Sequence, residues 1–421
     1  MKNVRFLIIG AGISGLAFAL SAGDDYLIVE KENEPGGFCR TIKRDGFVWD
    51  YAGHFFHFKT EKYKQLFNDN IPAKDIIHKD KCTQIIYKDL LVDYPFQTNI
   101  HQLDKEEFID CLYDLFNKEE KETYSSFLDM LYGKFGKSIT EKFLRPYNEK
   151  LYAVDLTKLD TDAMGRFFPY ADKEQIINNM KKSGDSGSYN NTFLYPRNGA
   201  GSFIDVLYNK LDTSRVLLNT SVASIDIEAK VATLDNGEKI SYEFLINTAP
   251  FNVFLKLTGK KSYEELAGSL SYNKVLVFNL GFNKKSHFDK EHWMYIPDKN
   301  VNYYRIGFYD NILDDDRLSM YIEIGYPKDG VVDAEKELAL TLENLKKQGI
   351  TDDSFELVAH ETIIMDPAYV HINTENDRDV KAAMNELAEK GVYSIGRYGA
   401  WTYCSMEDSM LAAATLAEKL N

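Results

Sequence analysis

The stretch "RFLIIGAGISGLAFALSA", residues 5–22, joins an apolar run to a run of small residues through Gly10, Gly12 and Gly15. Apolar residues before the turn predict a buried strand, and the small residues after it predict a helix. In that context G-x-G-x-x-G spacing predicts a dinucleotide cradle. Gly10 makes the tight turn, Gly12 lets backbone approach a pyrophosphate, and Gly15 lets helix and strand pack closely. The helix N-terminus then faces the phosphates. A second strand, "YLIVE", ends on Glu30, whose carboxylate would accept from ribose hydroxyls. The same N-terminal residues could also be read as a secretory signal, since two basic residues precede the apolar run. The glycine turn in register with Glu30 favours strand–turn–helix.

A chain of 421 residues exceeds what one core usually supports, so two or three lobes are expected. The 27 tyrosines and 26 phenylalanines, against 3 tryptophans, suit a pocket that stacks on planar ligands. A net charge of −15 argues against nucleic acid or an anionic membrane surface as partner. An anionic ligand would therefore need arginines gathered locally. Cys39, Cys82, Cys111 and Cys404 are scattered, which reads as reduced thiols of a cytoplasmic protein and not as a disulfide frame or zinc site. Beyond the N-terminal run no apolar segment is long enough to span a bilayer. Self-association is left open.

Directly after Glu30, "KENEPGGFCRT" carries Gly36, Gly37 and Thr41. This diglycine resembles the second fingerprint of FAD proteins in the glutathione-reductase and amine-oxidase superfamily, and that resemblance implies FAD. Residues 222–250 read as three short strands with an Asp-Asn-Gly turn, beginning at Val222. "GVYSIGRYGAW", residues 391–401, is a strand entering a glycine turn at Gly396 and Arg397, followed by a helix. In the superfamily such a unit returns to the nucleotide domain, so the cofactor set becomes Gly10, Gly12, Gly15, Glu30, Gly36, Gly37, Thr41, Val222, Gly396 and Arg397. Residues 103–185 have helical spacing, and 272–327 alternate as an antiparallel sheet does. The expected fold is α/β, with a discontinuous Rossmann-like FAD domain (1–90, 190–250 and 366–421). A mainly helical insert (91–189) and a mixed, mainly antiparallel sheet domain (251–365) complete it. "KKSGDSGSYNNT", residues 181–192, is the candidate lid loop.

Several further stretches resemble UDP-galactopyranose mutases, most nearly their eukaryotic-type branch. "VDYPFQTNI" (92–100) is similar to that family's Y-P-F-Q-x-N segment, and "FLRPYNEKLYAVDLTKL" (143–159) to its R-P-Y-N-x-K-x-W-A block. "YPRNGAGSFIDVL" (195–207), "MYIPDKNVNYYRIGFYD" (294–310), "PAYVHI" (367–372) and "GRYGAWTY" (396–403) follow in the family's order. The chain departs from the pattern in three ways. Tyr152 stands where the family has tryptophan, Ala52-Gly53-His54 replaces Gly-Gly-His, and the chain is shorter than the eukaryotic enzymes.

The resemblance implies interconversion of UDP-galactopyranose, or a related UDP-hexose, and its furanose form. Reduced flavin N5 would be the covalent nucleophile, with NAD(P)H or another reductant supplying electrons. It further implies that Arg145 and Arg305 clamp the diphosphate and that His54 lies beside the flavin. Tyr94, Phe96, Gln97 and Asn99 would hold the uridine, and Tyr295, Tyr369 and Tyr403 the phosphates. By residue type alone, most arginines form surface ion pairs and most tyrosines are core. In "DYAGHFFHF" (50–58) His54 and His57 lack a third ligand at metal spacing, and a three-residue step on an extended segment points them to opposite faces. No metal is expected. The competing reading is an FAD oxidase or desaturase of the amine-oxidase type acting on an apolar or amine substrate. A third is a non-catalytic FAD- or nucleotide-sugar-binding protein.

Overall fold

The computed structural model describes residues 1–165, 168–181 and 192–421. Its N-terminal strand, Lys2–Ile9, lies between two parallel neighbours, Tyr26–Val29 and Lys239–Asn247. Val216–Leu217 continues the sheet beyond Tyr26–Val29, and Val392–Ser394 pairs in parallel with the end of Lys239–Asn247. Val222–Asp226 and Val231–Leu234 close it as an antiparallel meander. Phe6 and Ile8 point into one apolar layer, packed by the helices Ile13–Ser21, Gly201–Asn209 and Met406–Leu420. Val4, Leu7 and Ile9 point into the opposite layer with Phe254, Leu255 and Val380. A strand covered on both faces needs no polar alternation, which is why "FLII" is uninterrupted.

The second sheet runs in the order Leu357–Val370, Tyr272–Phe282, Ser319–Pro327, Arg305–Phe308, Trp293–Tyr295, Thr83–Tyr87, Leu90–Asp93. Neighbours are antiparallel except where Trp293–Tyr295 meets Thr83–Tyr87. The division expected at residue 90 falls one residue into the second strand of the hairpin Thr83–Tyr87 and Leu90–Asp93, both of which belong to this sheet. Leu276, Phe278, Met320 and Ile322 face a layer closed by Leu345 of the helix Ala334–Lys347. Val275, Val277, Trp293 and Tyr321 face the other way, toward the helical insert. Each such side chain, fully buried, contributes roughly 1.5–3 kcal/mol.

Two adjacent cross-strand rows on the insert-facing side form the floor of a cleft. One contains Ile85, Tyr295, Arg305, Glu323 and Val277; the next contains Thr83, Trp293, Gly307, Tyr321 and Asn279. The insert covering them consists of Lys105–Asn117, Phe127–Ile139 and Arg145–Tyr152. Gly136 breaks the second of these with φ 77°, where a side chain would press within 2.6 Å of the Asp114 carbonyl oxygen. A π-helical turn, Thr140–Leu144, then leads directly into Arg145–Tyr152. That wider turn resets the phase of the last helix. Tyr147, Asn148, Leu151 and Tyr152 become buried, while Arg145 and Glu149 turn outward. Of the lid expected at 181–192, all but its two end residues lie outside the described residues.

Candidate active site

The glycine turn has the geometry its spacing predicts. Gly10 adopts φ 100°, and a Cβ on it would lie 2.5 Å from Thr248 Oγ1. A Cβ on Gly15 would overlap the Gly10 carbonyl oxygen, so the helix can seat on the strand only with glycine there. Nothing lies within 4 Å of a Cβ added at Gly12, which begins the helix Ile13–Ser21. The second fingerprint docks on the first: Gly12 bridges Gly36, and the Gly36 N–H donates to the Ala11 carbonyl at 2.9 Å. Gly36 and Gly37 both have positive φ, 118° and 56°. Buried Glu30 accepts from the Ala11 N–H at 2.7 Å and the Glu32 N–H at 3.0 Å, placing its carboxylate at the mouth of the turn. Thr220 N–H donates to the Glu30 carbonyl, which brings the start of Val222–Asp226 alongside. Gly396, at φ 80°, abuts Ser14, where a Cβ would overlap the hydroxyl oxygen. An open backbone notch at a helix N-terminus, beside a buried carboxylate, is the donor and acceptor set an adenine dinucleotide requires. The cradle fits FAD.

Thr41 has a different task. Its hydroxyl donates to Asp50 Oδ1 at 2.5 Å and accepts from the Gly201 N–H at 2.8 Å. Asp50 also accepts from Tyr195 and the Ala200 N–H, and burial without a cation pushes its carboxyl up to about 7. Thr41 thus joins the fingerprint hairpin to the turn at 199–201.

His54, Tyr94, Tyr295, Arg305, Tyr369, Arg397 and Tyr403, from six separated segments, converge above the second sheet, each partly open to the cleft. The Tyr94 and Tyr295 rings lie 4.9 Å apart, and Tyr369 stacks on Tyr403 at 5.7 Å. The Arg397 guanidinium sits 4.4 Å over the Tyr403 ring and 5.1 Å from that of Tyr369. Arg305 grips Glu323 in a two-point ion pair, at 2.9 Å through Nε and 2.6 Å through Nη2. Burial raises the phenols of Tyr295 and Tyr369, and the strongest influence opposing it on each is Arg305. His54 Nδ1 is 2.9 Å from the Ala52 carbonyl, so that nitrogen carries the proton and Nε2 is the acceptor. Burial, helped by Arg397 and Arg305, holds the imidazole down to about 4. His57 instead binds the Thr192 carbonyl at 2.9 Å and packs edge-on against Phe193. Among the described residues no cluster of histidine, cysteine and carboxylate side chains could hold a metal ion.

Four expected site residues lie elsewhere. Arg145 is on the outer face of its helix, bound to Glu141 at 3.0 Å and Glu149 at 2.7 Å, with Glu149 also holding Lys299. The structure does not bring it to Arg305: the π turn directs Tyr147, not Arg145, against Tyr295. Phe96 is fully buried and stacks on Phe143 at 5.1 Å. Gln97, also fully buried, donates to the Pro169 carbonyl. Asn99 donates to the Pro95 carbonyl and accepts from Asn179. Tyr94 alone of that motif reaches the cleft. Tyr152, at the family's tryptophan position, is a buried support, its ring 6.0 Å from that of Tyr369.

Sequence reasoning missed Glu323, Tyr304 and Tyr321. Tyr304 donates to Glu323 Oε2 at 2.6 Å, completing the carboxylate's shell. The signal was present as alternation: "YIEIGY" places Tyr321 and Glu323 on one face, opposite Arg305 and Gly307 in register.

Comparison with known proteins agrees with this geometry. The chain is 25% identical over 316 residues to coproporphyrinogen III oxidase of Staphylococcus aureus (strain NCTC 8325 / PS 47), spanning 66% of this chain and 67% of that protein. A 49-residue segment is 43% identical to the zeta-carotene-forming phytoene desaturase of Myxococcus xanthus, covering 11% of this chain and 10% of that one. In fold it is similar to a crystal structure of reduced UDP-galactopyranose mutase, with TM-score 0.93 and 24% identity, over 99% of this chain and 94% of that one. Putrescine oxidase bound to putrescine superimposes less closely, with TM-score 0.68 and 12% identity, over 99% and 98%. The family model for flavin containing amine oxidoreductases matches residues 13–421. With a cradle built for FAD and that match along nearly its whole length, the chain belongs to the flavin containing amine oxidoreductase family and is an FAD-dependent enzyme.

Proposed function

We propose that the protein is a nucleotide-sugar mutase, interconverting UDP-galactopyranose, or a related UDP-hexose, and its furanose form. The observation that carries this reading is the charge balance of the cleft. Among the described residues it gathers two guanidinium groups, Arg305 and Arg397, and the carboxylate ion-paired with either of them is Glu323, on Arg305. Phenols ring both. A cationic excess walled by hydroxyl donors suits a diphosphate and repels an amine. In this reading Arg305 presents its remaining Nη1 edge to the diphosphate, and Tyr295, Tyr369 and Tyr403 donate to phosphate oxygens. Tyr94 offers a face to the base. His54 stays neutral at physiological pH and offers Nε2 toward the flavin side of the cleft. Bound FAD, once reduced, supplies a nucleophilic N5 for the anomeric carbon. Retaining the leaving UDP between Arg305 and the tyrosines would let it return to the same sugar. A reductant such as NAD(P)H, and a cytoplasmic place where the four cysteines stay reduced, belong to the same reading.

The test is direct. Protein loaded with FAD and reduced with dithionite should convert UDP-galactopyranose to the furanose, and oxidised protein should not. No ring isomer from any UDP-hexose under reducing conditions would sink the reading. The second reading, a flavin oxidase, draws on the names of the curated relatives. Reduction of the bound flavin by a substrate, with hydrogen peroxide formed on reoxidation, would decide for it.

A further inference from the structure

We propose that Tyr321 is a further substrate-contacting residue, its hydroxyl engaging the hexose of the nucleotide sugar. The inference rests on the mutase reading and deepens it. The Tyr321 side chain is only 1% exposed, yet no described residue hydrogen-bonds its hydroxyl. Three neighbouring phenols have protein partners: Tyr304 donates to Glu323, Tyr195 donates to Asp50, and Tyr309 accepts from the Asp50 N–H. An inward phenol without a partner costs free energy that phenylalanine would avoid, unless a ligand completes it.

The surroundings are cut to admit this ring. A Cβ on Gly53 would lie 2.5 Å from the Tyr321 hydroxyl, and one on Gly307 would overlap the ring. Neither glycine has a positive φ, so backbone conformation does not require them. Space for Tyr321 does. Gly307 is its cross-strand neighbour in the floor row next to that of Arg305. Gly53 directly precedes His54, and the Arg305 guanidinium lies 6.0 Å from the Tyr321 ring. The hydroxyl therefore sits between the diphosphate arginine and the histidine on the flavin side. A hexose linking a diphosphate to the flavin must occupy that interval.

The experiment compares wild type with Tyr321→Phe, both FAD-loaded and dithionite-reduced. Turnover of UDP-galactopyranose is measured alongside calorimetric titration with UDP, which lacks the sugar. The variant should lose about tenfold or more in kcat/KM, with UDP affinity unchanged within about twofold. Its FAD content and melting temperature should not fall, whereas a structural tyrosine would lose stability. Gly307→Ala, which displaces the ring but keeps the hydroxyl, should lower kcat/KM in the same direction. Wild-type kcat/KM in Tyr321→Phe, or a parallel loss of UDP affinity, overturns the sugar contact while leaving the mutase reading in place. If wild type itself makes no furanose, the mutase reading fails and the contact falls with it.

Discussion

Arg305 and Arg145 look alike in the sequence, each set among aromatic residues, but they occupy opposite electrostatic situations. Arg305 lies on a central strand of the second sheet, mostly buried, against a carboxylate that is 1% exposed. Arg145 lies on a helix surface between two half-open glutamates one turn to either side. The difference teaches that the environment supplied by the sheet, more than the motif, decides whether an arginine is held buried against a single carboxylate. In a desolvated row a guanidinium is fixed by one partner and still has an edge to offer. On an exposed helix the same group is satisfied by neighbours and screened by water.

The largest effect should come from breaking the buried member. Arg305→Ala leaves Glu323 charged and unpaired, which costs about 3–5 kcal/mol of stability. UDP binding should vanish with it, and a urea melt paired with UDP titration reads both. Glu323→Gln comes next: it keeps an acceptor for Tyr304 but removes the charge-assisted pair. It should lower stability by about 1.5–3 kcal/mol in the same melt.

A smaller effect concerns the histidine that Arg305 and Arg397 face. The folded imidazole is held down to about 4, below the ordinary value of 6.5. The unfolded chain therefore takes up the proton first as pH drops. His54's contribution to stability is complete above about pH 6.5 and is lost as pH falls toward about 4. Ring-proton NMR should find no His54 titration between about pH 5 and 8. A midpoint near the ordinary value would mean that burial, and with it the guanidinium pair, does not act on His54. The smallest effect should be Arg145→Ala, which costs less than about 1 kcal/mol and leaves UDP affinity unchanged. A large loss of UDP affinity in that variant would collapse the contrast between the two arginines.

The nucleotide cradle was readable because its chemistry is local. Gly10, Gly12 and Gly15 act within one turn, and the overlaps expected of side chains there are those the backbone creates. Glu30 was readable for the same reason, as the end of the adjoining strand. The alternation of "KVLVFNL" likewise announced a sheet with two different faces. The tyrosines at 94, 295, 369 and 403 became candidates only through family resemblance, and the fold does bring them together. The same resemblance placed Phe96, Gln97, Asn99 and Arg145 with them. There it met a limit, because a motif names residues without fixing which way a helix or turn presents them.

By itself, then, the sequence determined the dinucleotide turn, its acid, the strand–helix order and the two-faced sheet, since each depends on contacts within a few residues or on a simple period. Tertiary structure alone decided which arginine is buried. One π-helical turn rotated Arg145 outward, and strand register set Arg305 opposite Glu323. It also decided that two glycines far apart in the chain open one space for Tyr321. Register and helical phase are set by packing between distant segments, and no local pattern carries them.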